Sequence, residues 1–156
     1  MTIAVFPPLA VLVVPENPDS SPWTGRFFIP VSSFLIFSLS DFTGRWITTS
    51  VPLPVHRPSL MFWLSMARWL LIPCLMMCNA HPRNLLPVLF ENEMWFVSLI
   101  LLIGLTNGYF FTNAMINGPK YVSSHLRQKT GFILVLFMGF GVAIGSILSN
   151  FILRLL

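Results

Sequence analysis

Apolar residues in this chain come in long blocks separated by short polar stretches, with none of the single-residue alternation of a half-buried strand. Four blocks, at 28–49, 59–79, 94–115 and 131–153, are long enough to cross a bilayer as helices, for which about 20 apolar residues are needed. A fifth block, at 2–14, contains Pro7-Pro8, and as a helix it reaches only about 20 Å against about 30 Å of hydrocarbon. Met1 is followed by no basic stretch, and no small-residue cleavage site precedes Pro15, so a signal peptide does not fit. We expect this block to be the outer part of a helix whose beginning lies before Met1. The predicted fold is all-α, a polytopic membrane helix bundle.

Composition agrees. Hydrophobic residues make up 55% and charged residues 9% of the chain, where a soluble domain carries about a quarter charged. Mean hydropathy is +0.78. The net charge of +4 is spread along the chain with no basic run, which argues against nucleic-acid binding. Cys74 and Cys78 lie one helical turn apart, a spacing that does not suit a disulfide. They read as packing residues. His56, His81 and His125 are scattered, so no metal site is expected, and no cofactor. No Asn-x-Ser/Thr acceptor occurs.

Loop charges predict orientation. The end of the 28–49 block with the loop after it, and the loop before the 131–153 block, hold Arg45, Arg57, Lys120, Arg127 and Lys129, with no acid outside the helix. The other loops and the tail hold Arg26, Arg83 and Arg154 together with Glu16, Asp19, Glu91 and Glu93. The positive-inside rule puts the first set in the cytoplasm. Five crossings then place the N-terminus inside and the C-terminus outside.

Asp41 and Arg45 are the candidate chemistry. A carboxylate within an apolar span needs a partner or a water-filled path, because hydrocarbon cannot solvate it. The i, i+4 spacing puts both on one helix face, able to meet each other or a shared polar ligand. That pattern points to a solute pathway. Arg45 could also anchor the helix end at the membrane surface, whereas Asp41 lies about one turn deeper. Thr106, Asn107, Thr112 and Asn113 are polar at depth too, and bond across helices or line a cavity. Gly141 and Gly145 form a G-x-x-x-G pair that permits close helix approach, within one bundle or between two copies. No nucleophile–base–acid set suggests an enzyme.

Several strings together resemble the equilibrative nucleoside transporter family. Val5-Phe6-Pro7 is similar to the family's Phe-Pro, and Asp41-Phe42-Thr43-Gly44-Arg45 to its Asp-x-x-Gly-Arg. Ala67-Arg68-x-x-Leu71-x-Pro73 resembles its Ala-Arg-x-x-Phe-x-Pro, with Leu71 in place of Phe. Asn107-Gly108-Tyr109, Gly118-Pro119-Lys120, Thr130-Gly131 and the glycine-rich 139–145 stretch follow in order. Ser38 stands where many members carry Asn, three residues before the Asp.

The resemblance implies the C-terminal half of a major-facilitator-like fold, helices seven to eleven of eleven. It implies facilitative, alternating-access transport of nucleosides, and of nucleobases, as part of a longer transporter. Asp41 would accept hydrogen bonds from ribose hydroxyls, and Arg45 would donate to the sugar or fix the carboxylate. Phe6, Pro7 and Ser38 would complete the substrate wall. Arg68 would link helices, with Asn107, Gly141 and Gly145 structural. The expected partners are nucleosides, the lipid bilayer (at the plasma membrane), and an N-terminal bundle or a second copy. The other class in play is a truncated, non-transporting membrane protein, acting as a regulatory subunit or inert.

Overall fold

The structure is a computed structural model that describes residues 2, 6, 8, 10–12, 27–54, 58–78 and 93–155. Pro7, Arg57, Arg83 and most of the 2–14 block lie outside the described residues. The described residues are nearly all helical, with no strand among them. After a short 3-10 turn at Ala10–Leu12, a π-helical stretch at Ile29–Leu35 runs into α1 (Ile36–Ser50). Next come α2 (Pro58–Ala67), a 3-10 turn at Arg68–Leu70 and α3 (Leu71–Met76). The long α4 (Glu93–Asn117) and α5 (Arg127–Leu155) flank two 3-10 turns at Gly118–Tyr121 and Ser124–Leu126.

Prolines set the breaks. Val51 precedes Pro52 and leaves helical space at φ −131°, ψ 71°, which ends α1. Pro73 has no N–H to donate to the carbonyl of Trp69, and the helix tightens at Arg68–Leu70 one turn earlier. Pro119 ends α4 in the same way.

Among the described residues, three helical stretches, Ser59–Met76, Met94–Tyr121 and Ser124–Leu153, are long and apolar enough to cross a membrane. The 29–50 helix is more polar, with serines, threonines and Asp41 along it. Ser32, Ser33, Ser40 and Thr48 pack inward and are buried, while Ser38, Thr49 and Ser50 are exposed. Large apolar side chains point outward instead, among them Trp63, Leu70, Phe137 and Ile147. This inside-out pattern suits lipid, which gives helices no hydrophobic reason to hide such groups.

Helices α1 and α4 pack backbone to backbone, and small residues make it possible. A Cβ added at Gly44 would overlap the Leu105 carbonyl oxygen and sit 2.9 Å from the Tyr109 nitrogen. One added at Gly108 would overlap the Asp41 carbonyl oxygen, and one at Gly104 would fall 2.8 Å from the Phe37 carbonyl oxygen. Real Cβ atoms do not approach so near, so only glycine lets these backbones touch. The seam is Gly104-x-x-x-Gly108 against Ser40-x-x-x-Gly44-x-x-x-Thr48. The sequence expectation placed close approach at Gly141 and Gly145. Gly145 is buried, but nothing lies within 4 Å of a Cβ added at Gly141.

Side-chain amides close one end of the pair. Asn113 Oδ1 accepts the Leu53 N–H at 2.8 Å, and Asn117 Nδ2 donates to the Leu53 carbonyl at 3.1 Å. The Tyr109 hydroxyl donates to the Val51 carbonyl at 2.9 Å. The apolar core lies at the other end, where Phe28, Leu75, Phe96, Ile100 and Ile103 are buried together. α5 rests on both ends: Leu134 covers Gly118, while Leu148, Ile152 and Leu153 reach the core.

Candidate functional site

Between those supports a cavity of about 840 Å³ opens. Every helix contributes to its wall except α3, and Thr2 and Phe6 reach it from the N-terminal segment. Of the residues singled out in the sequence, Phe6, Asp41, Arg45, Arg68, Asn107 and Gly141 line it together. Ser38 does not; it is exposed on another face of α1, while Phe37 faces the cavity. Gly145 is buried and also lies off the wall.

Asp41 is the centre of the polar part. Arg45 Nε donates to its Oδ2 at 2.7 Å across one helical turn. Asn107 Nδ2 donates to its Oδ1 at 2.8 Å from α4. The Asp41 side chain keeps 15% of its surface exposed and Arg45 keeps 47%. A carboxylate has about four acceptor positions. With one donor on each oxygen and surface still open, Asp41 has capacity left for a ligand. The two terminal nitrogens of Arg45 have no partner among the described residues.

Aromatic rings flank this polar centre. The Arg45 guanidinium lies 5.0 Å from the Phe111 ring centroid, and that of Arg68 lies 5.8 Å from Phe110. Both distances are in the cation–π range. Phe6 stacks on Phe37 with centroids 4.0 Å apart and meets Phe34 edge-on at 5.4 Å. A wall with charged and amide groups at its centre and ring faces beside them suits a ligand with a hydroxylated part and a flat apolar part.

Arg68 crosses toward the N-terminal segment. Its Nη2 donates to Thr2 Oγ1 at 3.0 Å, and Thr2 Oγ1 donates to Asn107 Oδ1 at 2.7 Å. Arg68 Nε is buried without a hydrogen-bond partner among the described residues. Sequence reasoning did not single out Thr2, Phe37, Met61, Ser65, Phe110 or Phe111, all of which lie on the wall. No local signal marks Thr2, whose part depends on a partner 105 positions away. Phe37 was detectable in principle, one turn before Asp41 on the same helix face. Among the described residues no three His, Cys, Asp or Glu side chains gather as a metal site. Cys74 and Cys78 are free thiols.

The chain is 36% identical to human equilibrative nucleoside transporter 1, over 96% of its own length and 32% of the relative's. It is 35% identical to the rat form of the same transporter, over 100% and 34% of the two chains. It is 33% identical to rat equilibrative nucleoside transporter 3, over 94% and 31%. The chain thus spans about a third of the length of the curated relatives it matches. The family model described as nucleoside transporter matches residues 1–154, and the chain belongs to that family.

Proposed function

We propose that this chain supplies one wall of the cargo site in a longer, major-facilitator-like nucleoside transporter. That transporter carries nucleosides, and nucleobases, down their gradient by alternating access. The observation that carries the reading is the partly exposed Asp41–Arg45 pair in a cavity flanked by phenylalanine rings. In this reading Asp41 accepts hydrogen bonds from the sugar hydroxyls, and the unpartnered nitrogens of Arg45 donate to the sugar oxygens. Charge-assisted bonds of this kind are roughly twice as strong as neutral ones. The base lies against the rings of Phe37, Phe110 and Phe111, with Phe6 on the same wall, stacked on Phe37. Arg68 stays a link between segments. An N-terminal bundle forms the opposite wall, since sites of this kind lie at the interface of two repeats near the midplane. The protein sits in the plasma membrane with its N-terminus in the cytoplasm.

The test uses a chimera in which this chain replaces the aligned third of human equilibrative nucleoside transporter 1. Asp41→Ala abolishes saturable uridine uptake at unchanged surface abundance, and Asp41→Asn retains only part of it. Normal uptake in both variants would contradict the assignment.

A further inference from the structure

A run of hydrogen bonds reaches Asp41 from the far side of the cavity, and the reading above does not use it. We infer that Asn107 is a positioning residue, oriented by Thr2 and Arg68, that holds the Asp41 carboxylate for the vicinal hydroxyls of the cargo. The inference rests on the proposal that Asp41 receives those hydroxyls.

The sense of the run is fixed by its ends. An arginine side chain can only donate, and an ionised carboxylate can only accept. Arg68 Nη2 donates to Thr2 Oγ1, and the single hydroxyl proton of Thr2 goes to Asn107 Oδ1. The Asn107 amide must then turn its NH₂ toward Asp41 Oδ1. The flipped amide would set an oxygen against the carboxylate and an NH₂ against a proton donor. Every donor in the run therefore points toward Asp41, the arrangement in which neighbouring hydrogen bonds polarise one another favourably.

Arg45 cannot do this work alone. It lies on the same helix as Asp41, is half exposed, and can follow the carboxylate if that group rotates. Asn107 comes from α4 and is adjacent in sequence to Gly108, whose backbone touches the Asp41 carbonyl. Its amide is thus a fixed point against which the carboxylate is set. Rotation of Asp41 about its terminal torsion would break the bond to Asn107 even where Arg45 follows. About one acceptor position is then left on each oxygen, the number that two adjacent hydroxyls need.

Two measurements test this. In the first, the full chain in lipid nanodiscs carries ¹³C in its aspartate carboxylates, which belong to Asp19 and Asp41 only. The infrared carboxylate band lost in Asp41→Asn is that of Asp41. We expect Asn107→Leu to shift this band and Thr2→Val to broaden it; a band unmoved by Asn107→Leu overturns the inference. The second uses the chimera with human equilibrative nucleoside transporter 1. Asn107→Leu raises the KM for uridine about tenfold, the effect of losing one well-placed hydrogen bond to a charged group. The KM for 2′,3′-dideoxyuridine, which lacks both hydroxyls, stays within about twofold. Equal changes for the two compounds, or none for either, overturn the positioning role. Asp41→Ala in the same chimera separates the two ideas: an unchanged KM for uridine there would sink the underlying cargo assignment instead.

Discussion

Gly44 and Gly108 bind α1 and α4 reciprocally, each lying against the peptide that adjoins the other. Gly44 meets the Tyr109 nitrogen and Gly108 meets the Arg45 nitrogen. Two backbones in direct contact leave no side chain to yield. We expect Gly108→Ala or Gly44→Ala to destabilise the purified chain by about 3 kcal/mol, the upper range for overpacking. Gly141→Ala, which meets open space, changes stability by less than about 0.5 kcal/mol. Thermal unfolding in detergent, followed by circular dichroism, reads the difference. Equal midpoints for Gly108→Ala and Gly141→Ala would remove the seam from the account.

Asn113 ties the exit of α1 to α4. Asn113→Ala leaves the Leu53 N–H without its acceptor, at a cost of about 1–3 kcal/mol. The local reading is amide hydrogen exchange at Leu53, which should accelerate at least tenfold for about 1.4 kcal/mol lost. Unchanged exchange would mean that the two prolines beside Leu53, not the amide, hold the turn.

Orientation is testable by labelling. His125 is exposed between α4 and α5, and the charge pattern places it in the cytoplasm. In a background without Cys74 and Cys78, His125→Cys resists an impermeant maleimide on intact cells, whereas Asn17→Cys reacts. The reverse pattern would invert the topology.

A fourth expectation concerns the chain by itself. In liposomes it inserts but admits no uridine or adenosine above background, because alternating access needs two walls that rock about the site. Saturable influx, competed by other nucleosides, would show that a single bundle suffices.

Much of this was legible in the residues. The helices follow from apolar length, and Asp41 with Arg45 from charges one turn apart where charge is costly. Asn107 could be seen to lie at depth, but its partner could not, because that depends on which helix lies beside it. The glycine seam shows the limit most clearly. Gly104-x-x-x-Gly108 and Gly141-x-x-x-Gly145 have the same spacing, and spacing alone does not say which one meets a facing backbone. The complementary sign was Ser40-x-x-x-Gly44-x-x-x-Thr48, a second row of small residues that only makes sense opposite the first.

The arch of α5 over the cavity has a consequence of its own. The hydrogen-bonding groups come from α1, α4 and the segments near Thr2 and Arg68, while α5 contributes Met138, Gly141 and Val142 without a single charge. Free space beside Gly141 leaves room for a larger side chain there. The polar centre and this uncharged part of the wall are therefore carried by different helices. If the proposed cargo site is right, substitutions along α5 retune the fit for bulkier or slimmer cargo, over generations or at the bench, while the polar centre stays as it is.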